Sequence, residues 1–365
     1  MTRPTPRALP ALSRRRLVGG AGALLAGGLL AACAEEPGTP PAPSTGTESA
    51  TPTPNTTEEQ LTAFVTAVND QLTEADEERD AELLAPRVVG SAATFREDLY
   101  ELIGRAENEE DFEDNWNQEF SRPGPTLYTA LTSTSAEFPR VAIALSTPEV
   151  AEGEDSTVFS FLALRQEDAR SPYTTWGWAQ QMDGVEIPEK LPNALTGSEP
   201  VGLEAEGLLM TPKDALALYA KVLSDGNGPD SEDQLAPNPY QDTVHDQIQA
   251  ERASLNEDVE EDEAPTVKEV YEVVEDDLLG LRLEDGGAIV MSTFTSTRTL
   301  TIRADATLSY DEENPITDVL GTRELTDELV RTYGTTVALY IPAEGSDAQI
   351  QPIAATRIIT GVEGS

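Results

Sequence analysis

Sulfur and imidazole are nearly absent from this chain: among 365 residues there is one cysteine, Cys33, and one histidine, His245. A lone cysteine forms no internal disulfide and no thiolate-rich metal site, and a lone histidine excludes a zinc centre of several histidines. A Ser-His-Asp triad would have to pass through His245, so none can lie in the first half. Basic residues are scarce as well, 24 Lys and Arg against 67 Asp and Glu, for a formal charge of −43. Phosphate binding needs clustered Lys and Arg, so nucleic acid is excluded as a partner. No segment combines the length and apolarity of a membrane-spanning helix, which needs about 20 residues.

What basic charge there is begins the chain. Residues 1–16 carry Arg3, Arg7, Arg14, Arg15 and Arg16 and no acid, and residues 17–30 then read LVGGAGALLAGGLL, fourteen uncharged residues. A basic stretch, a short Gly-diluted apolar core and the small pair Ala31-Ala32 make a secretory signal over residues 1–32. Leu30-Ala31-Ala32-Cys33 resembles the lipobox of bacterial lipoproteins. The resemblance implies cleavage between Ala32 and Cys33, and diacylglycerol on the Cys33 thiol. The partner is then membrane lipid and the location the outer face of the cytoplasmic membrane. Two acyl chains, at about 0.8 kcal/mol per buried methylene, hold stably where one does not. Ser13-Arg14-Arg15-Arg16-Leu17-Val18 also resembles a twin-arginine export signal, with Arg14 and Arg15 as the pair.

Removing the leader takes five arginines and no acid, which leaves 19 basic residues against 67 acids, a formal charge of −48. Self-repulsion of that size favours solubility and opposes flat docking of the body on anionic lipid. Residues 34–57, AEEPGTPPAPSTGTESATPTPNTT, contain no aliphatic side chain larger than alanine. They cannot bury enough surface to offset chain entropy, so residues 33–57 are expected to be a lipidated cysteine and a disordered tether. Extended, the tether reaches roughly 70 Å.

Residues 58–365 are long enough for two units, expected at 58–200 and 201–365. Leu61, Phe64, Val65, Val68 and Leu72 recur at helical spacing in the first. Thr211-Pro212-Lys213-Asp214 opens a helix in the second, with Leu216, Tyr219, Val222 and Leu223 on one stripe. Each helix is followed by Leu-Ala-Pro, at Leu84-Ala85-Pro86 and Leu235-Ala236-Pro237, and then by a second helix, expected at 92–103 and 241–253. Strands are expected at 140–147, 157–165 and 173–181, and at 267–274, 287–296, 299–304, 335–341 and 349–361. The fold class is therefore α+β: two tandem units, each with N-terminal helices packed on a curved antiparallel sheet. This order resembles the nuclear-transport-factor-2-like and cystatin-like superfamilies. The whole layout is similar to uncharacterised two-unit secreted lipoproteins of high-GC Gram-positive bacteria.

Such cones often hold a pocket between helix and sheet. Trp176 and Trp178, two apart on an expected strand, share a face there, with Tyr173 and Tyr128 nearby. These aromatics could stack on a sugar or peptide, or pack as core. The acidic runs 109–114 and 257–263 lack the glycine and spacing of a calcium loop, and so does Asp225-Gly226-Asn227-Gly228-Pro229-Asp230. His245 has Asp242 at i−3 and Asp246 at i+1, on a helix where a solvent-facing role is the plain alternative. No catalytic constellation, metal set or cofactor motif emerges. The expectation is a non-catalytic binding or scaffold module whose partner is a wall component or envelope protein. The alternative is a histidine-independent hydrolase of wall glycan or peptide, working with two carboxylates.

Overall fold

The computed structural model describes residues 53–106, 121–134, 137–148, 158–188, 191, 196–255, 266–310 and 312–365. The export motif at Arg14 and Arg15, the cleavage pair Ala32 and Cys33, and both acidic runs lie outside them. Residues 51–365 form one compact unit.

Two helices open it, α1 (Glu58–Glu78) and α2 (Gly90–Arg105), joined through a 3-10 turn at Ala81–Leu84. Thr57 caps α1 in a reciprocal box with Gln60. The expected stripe is buried: Leu61, Val65, Val68 and Leu72 are fully covered. Four strands follow as an antiparallel meander, β1 (Thr126–Thr132), β2 (Arg140–Thr147), β3 (Ser160–Gln166) and β4 (Thr174–Gln180).

The second half begins with a short strand, β5 (Pro200–Val201), then α3 (Pro212–Asp225) and α4 (Pro239–Leu255). Thr211 caps α3 by accepting from the Asp214 N–H, with Pro212 in the first turn. Its meander is β6 (Thr266–Arg282), β7 (Ala288–Thr301), β10 (Glu328–Ile341) and β11 (Gln351–Gly364), in spatial order β11-β10-β7-β6-β5. Between β7 and β10 stands an insertion of β8 (Leu308–Ser309), α5 (Pro315–Leu320) and β9 (Glu324–Leu325).

The chain is thus mixed helix and antiparallel sheet, layered helix–sheet–sheet–helix. One face of the first sheet (Ala142, Ala144, Leu162, Leu164) packs on α1 and α2. The opposite face (Ile143, Leu145, Phe161, Ala163) meets Leu281, Ile289, Met291, Ala338 and Ile353 of the second sheet. The far face of that sheet (Val290, Phe294, Val337, Leu339) packs on Leu216, Tyr219 and Leu223 of α3. Alternation along each strand sends successive side chains into different layers.

Both seams between the sheets are hydrogen bonded. On one, Gln181 bridges Ala354, the Gln180 N–H donates to Thr356 Oγ1 at 2.9 Å, and the Met182 N–H donates to the Ile353 carbonyl at 3.0 Å. On the other, Ser198 lies between them: its N–H donates to the Thr132 carbonyl at 2.7 Å, and β5 pairs with β6. A fourth cluster joins Leu99, Leu102 and Ile103 of α2 to Leu329, Tyr333, Ile359 and Val362 of the second half. The two halves also approach closely at Gly334, where a Cβ would lie 2.2 Å from the Phe95 ring.

Three local expectations are revised. The strands expected at 287–296 and 299–304 are one strand, because Arg298 in the polar stretch between them is buried against Glu269 rather than marking a turn. The strand expected at 267–274 runs on to Arg282 past a bulge at residues 274–277. The end of the expected tether belongs to the body: the Asn55 N–H donates to the Ser133 carbonyl at 3.1 Å, and Thr56 is buried against Tyr173.

Candidate functional site

Trp176 and Trp178 do not share a face. Along β4, Trp178 pairs with Leu162 and Gly177 with Ala163, but Thr175 pairs with Leu164. Trp176 is the extra residue of a β-bulge, which shifts the alternation by one. The Gly177 N–H donates to Thr175 Oγ1 at 3.2 Å and stabilises the bulge. Trp178 consequently enters the helix-facing core and Trp176 the core between the sheets. Tyr173 is also buried, stacked on Phe64 at 4.5 Å with its hydroxyl 3.0 Å from Thr56 Oγ1. All three are enclosed by protein. Tyr128 is the exception, 65 % exposed and tilted against Phe159 at 4.7 Å.

Among the described residues, apolar side chains fill both helix–sheet interfaces. A space of about 30 Å³ lies where α2 crosses both sheets, bounded by Phe95, Arg96, Gly177, Trp178, Gly334 and Thr336. That is on the scale of one or two water molecules and admits no metabolite.

His245 is half-buried, and its Nε2 donates to the Leu223 carbonyl at 3.3 Å, which ties α4 to the end of α3. In the loop after α3, Asp230 accepts from the Gln234 and Leu235 N–H groups, each at 2.9 Å, and Asn227 accepts from Gln241. Those oxygens are engaged as turn and cap acceptors. Among the described residues no group of three His, Cys, Asp or Glu is placed to hold a metal. Among them, too, no helix is long and apolar enough to cross a membrane.

Titratable groups concentrate beneath α4 instead. Glu269 on β6 is fully buried and accepts from Arg298 Nε at 2.7 Å, Arg357 at 2.6 Å and Ser296 Oγ at 2.6 Å. Burial alone would raise its pKa, but Arg357, Arg298 and the Ser296 hydroxyl outweigh burial and hold it below the ordinary carboxylate value. Glu251 of α4 accepts from Arg331 at 2.5 Å and lies 3.8 Å from Arg298. The Arg357 guanidinium sits 3.4 Å above the Tyr333 ring. Tyr240 and Tyr271, 3.2 Å apart through their hydroxyls, have pKa values raised chiefly by burial. Sequence reasoning missed this cluster, whose only signal was the placing of arginines in β-strands of an acidic chain.

An open concavity lies elsewhere on the described surface, at the end of the second sheet where the β6–β7 and β10–β11 turns meet residues 186–188. It measures about 540 Å³ and is bounded by Glu186, Pro188, Asp285, Tyr340, Gln349 and Gln351. Asp285 organises it: Oδ1 accepts from the Gly287 N–H at 2.9 Å and Oδ2 from the Tyr340 hydroxyl at 3.0 Å. The Tyr340 pKa is pushed up to about 12, first by burial and then by Asp285. Gly287 is required beneath the ring, because a Cβ there would come within 2.7 Å of Tyr340. The volume is that of a small-molecule or short-peptide site. No protein-family model matches the chain, and no curated protein or solved structure is similar enough to it to count as a match.

Proposed function

We propose that this is a lipid-anchored, extracytoplasmic lipoprotein of a bacterial envelope, acting as a non-catalytic binding or scaffold module. Anchoring rests on the lipobox at Cys33, on the twin-arginine-like Arg14-Arg15 pair and on the Pro/Thr/Ser composition that follows. The observation that carries the binding role is the groove beside Tyr340, an open site of ligand size on a body whose helix–sheet layers are filled. The partner is a wall component or an envelope protein.

We further read the body as a tandem duplication, with units at 58–200 and 201–365. Supporting it, each half runs helix, Leu-Ala-Pro, helix and a four-stranded meander. The order agrees with the nuclear-transport-factor-2-like and cystatin-like resemblance and with the two-unit lipoprotein layout.

Intact-mass analysis of the native protein tests the address: the expected product begins at Cys33 and carries diacylglycerol, and Cys33→Ala leaves it unacylated. A free thiol, or a product retaining its leader, overturns the anchoring. In-cell crosslinking from the groove tests the role. Recovery of no wall fragment or envelope protein would count against it.

A second reading, hydrolysis by two carboxylates, is favoured by Glu186 and Asp285 bordering one groove. Asp285 accepts on both oxygens, which suits holding a shape more than exchanging a proton. Turnover of a wall fragment abolished by Glu186→Gln would promote hydrolysis over binding.

A further inference from the structure

Most side-chain donors of the groove are already used within the protein. Tyr340 gives its hydroxyl proton to Asp285 Oδ2 at 3.0 Å. Gln349 Nε2 donates to the Asp233 carbonyl at 2.8 Å and to the Leu235 carbonyl at 3.4 Å, which uses both its hydrogens. Gln351 Nε2 donates to the Pro352 carbonyl at 3.1 Å. An incoming molecule therefore meets mostly acceptors: the phenol oxygen, two amide oxygens, and the exposed carboxylates of Glu186 and Asp285. No Lys or Arg borders the groove among the described residues. Beside these oxygens lie apolar surfaces from Ile187, Pro188 and Ala348.

We infer that the groove takes a basic peptide segment of an envelope partner, presenting an ammonium or guanidinium group on an aliphatic stem. This deepens the binding role above and rests on the groove being the contact site. A lysine ammonium offers three donors and no acceptor, and arginine five donors and no acceptor, so either matches a site rich in oxygen acceptors. The stem lies on apolar surface while the charged head reaches the carboxylates. A neutral glycan hydroxyl both donates and accepts, and would find few donors to satisfy its oxygens here. An anionic wall polymer would meet two carboxylates on a body of strong negative charge, whereas the same field draws a basic segment in and raises its rate of encounter.

Calorimetric titration of the mature, acylated protein in neutral detergent, at about 0.15 M salt to screen diffuse attraction, tests this. The probes are capped trilysine, capped triglutamate and an N-acetylglucosamine trimer. Trilysine is expected to bind one to one and triglutamate not at all. Glu186→Gln and Asp285→Asn should each weaken trilysine about tenfold. Asn at 285 keeps an oxygen for the turn, so an unchanged melting temperature separates lost binding from lost folding. Glu328→Gln and Asp305→Asn, exposed acids away from the groove, should change affinity by less than about twofold.

Equal weakening by the distant variants, or none by the groove variants, overturns the inference. If the sugar trimer binds, is lost in Tyr340→Ala, and trilysine does not bind, the basic-peptide reading falls while the groove stands as a contact site. If no probe binds, both fall.

Discussion

Glu269→Gln is the most informative perturbation of the fold. In the native protein one carboxylate answers Arg298 and Arg357 while Glu251 answers Arg331, so three guanidiniums face two carboxylates. Glutamine keeps the shape but removes the charge, and its NH2 group must point at one of the guanidinium donors. Removing one partner from a buried ion pair costs about 3–5 kcal/mol, because the charge left behind stays desolvated. Unfolding entropy of about 2.1 cal/mol/K per residue, over a body of roughly 310 residues, gives ~0.65 kcal/mol/K and a fall in Tm of about 5–8 °C. The acid dependence follows from the lowered Glu269 pKa. The stabilisation is complete above the unfolded-state value near 4.5 and disappears as pH falls through the lower, folded-state value. Calorimetric melts of both proteins should show a wide gap at pH 7 that narrows below pH ~4. A gap under about 1 kcal/mol at pH 7, or one that does not narrow in acid, would refute the assignment of Glu269 as the charged hub.

Three further outcomes are expected. Asp76 accepts from the Tyr100 hydroxyl and Arg122 Nε, both at 2.6 Å, and lies 3.3 Å from buried Arg96, so Asp76→Ala should cost about 3–5 kcal/mol in urea unfolding. Gly334→Ala drives a methyl into the Phe95 ring and should lower the urea midpoint by the equivalent of about 1–3 kcal/mol, as overpacking does. Asp277, buried in the β6 bulge, has its pKa raised first by burial and then by Asp276, which outweigh the nearby Ser91 and Thr293 hydroxyls and Arg165. Its ionisation therefore opposes folding above the folded-state pKa, and the penalty is relieved as pH falls. Asp277→Asn should raise Tm at pH 7 and lose that advantage at pH 3.5.

The mix of helices and antiparallel strands was legible because it is written in periodicity, whereas the stacking of one sheet on the other was not. Leu61, Val65, Val68 and Leu72 can share a face only on a helix, and Thr211-Pro212-Lys213-Asp214 names its own cap. The pairing of the tryptophans was illegible for a physical reason. A bulge is a single extra residue whose presence depends on the partner strand, and nothing local to Thr175–Gly177 announces it. Long strands were read short where charged residues interrupt them, because Arg298 and Arg331 are neutralised by Glu269 and Glu251 only after the sheet and α4 have come together. The insertion after β7 did carry a signal that was passed over. Asn314-Pro315 opens α5 with a reciprocal cap to Thr317, and Gly321 closes it. The groove was invisible for another reason: residues 186–188, Asp285, Tyr340 and the 349–351 turn meet only through the packing of the second sheet.

Asp277 has a further effect, because it reaches out of its own half. Val89, at the head of α2, has no side-chain cap of its own, and the Asp277 carboxylate of β6 lies close by, beside Gly90 and Ser91. With the stitched edges and the shared middle layer, it means that the polypeptide could be cleaved between Met182 and Ser198 without the pieces parting. Such fragments would travel as one particle on a sizing column, and two separately expressed pieces should find each other and regain the parent's melting profile. The body would then tolerate a proteolytic cut in its middle that would sever an ordinary pair of beads on a string.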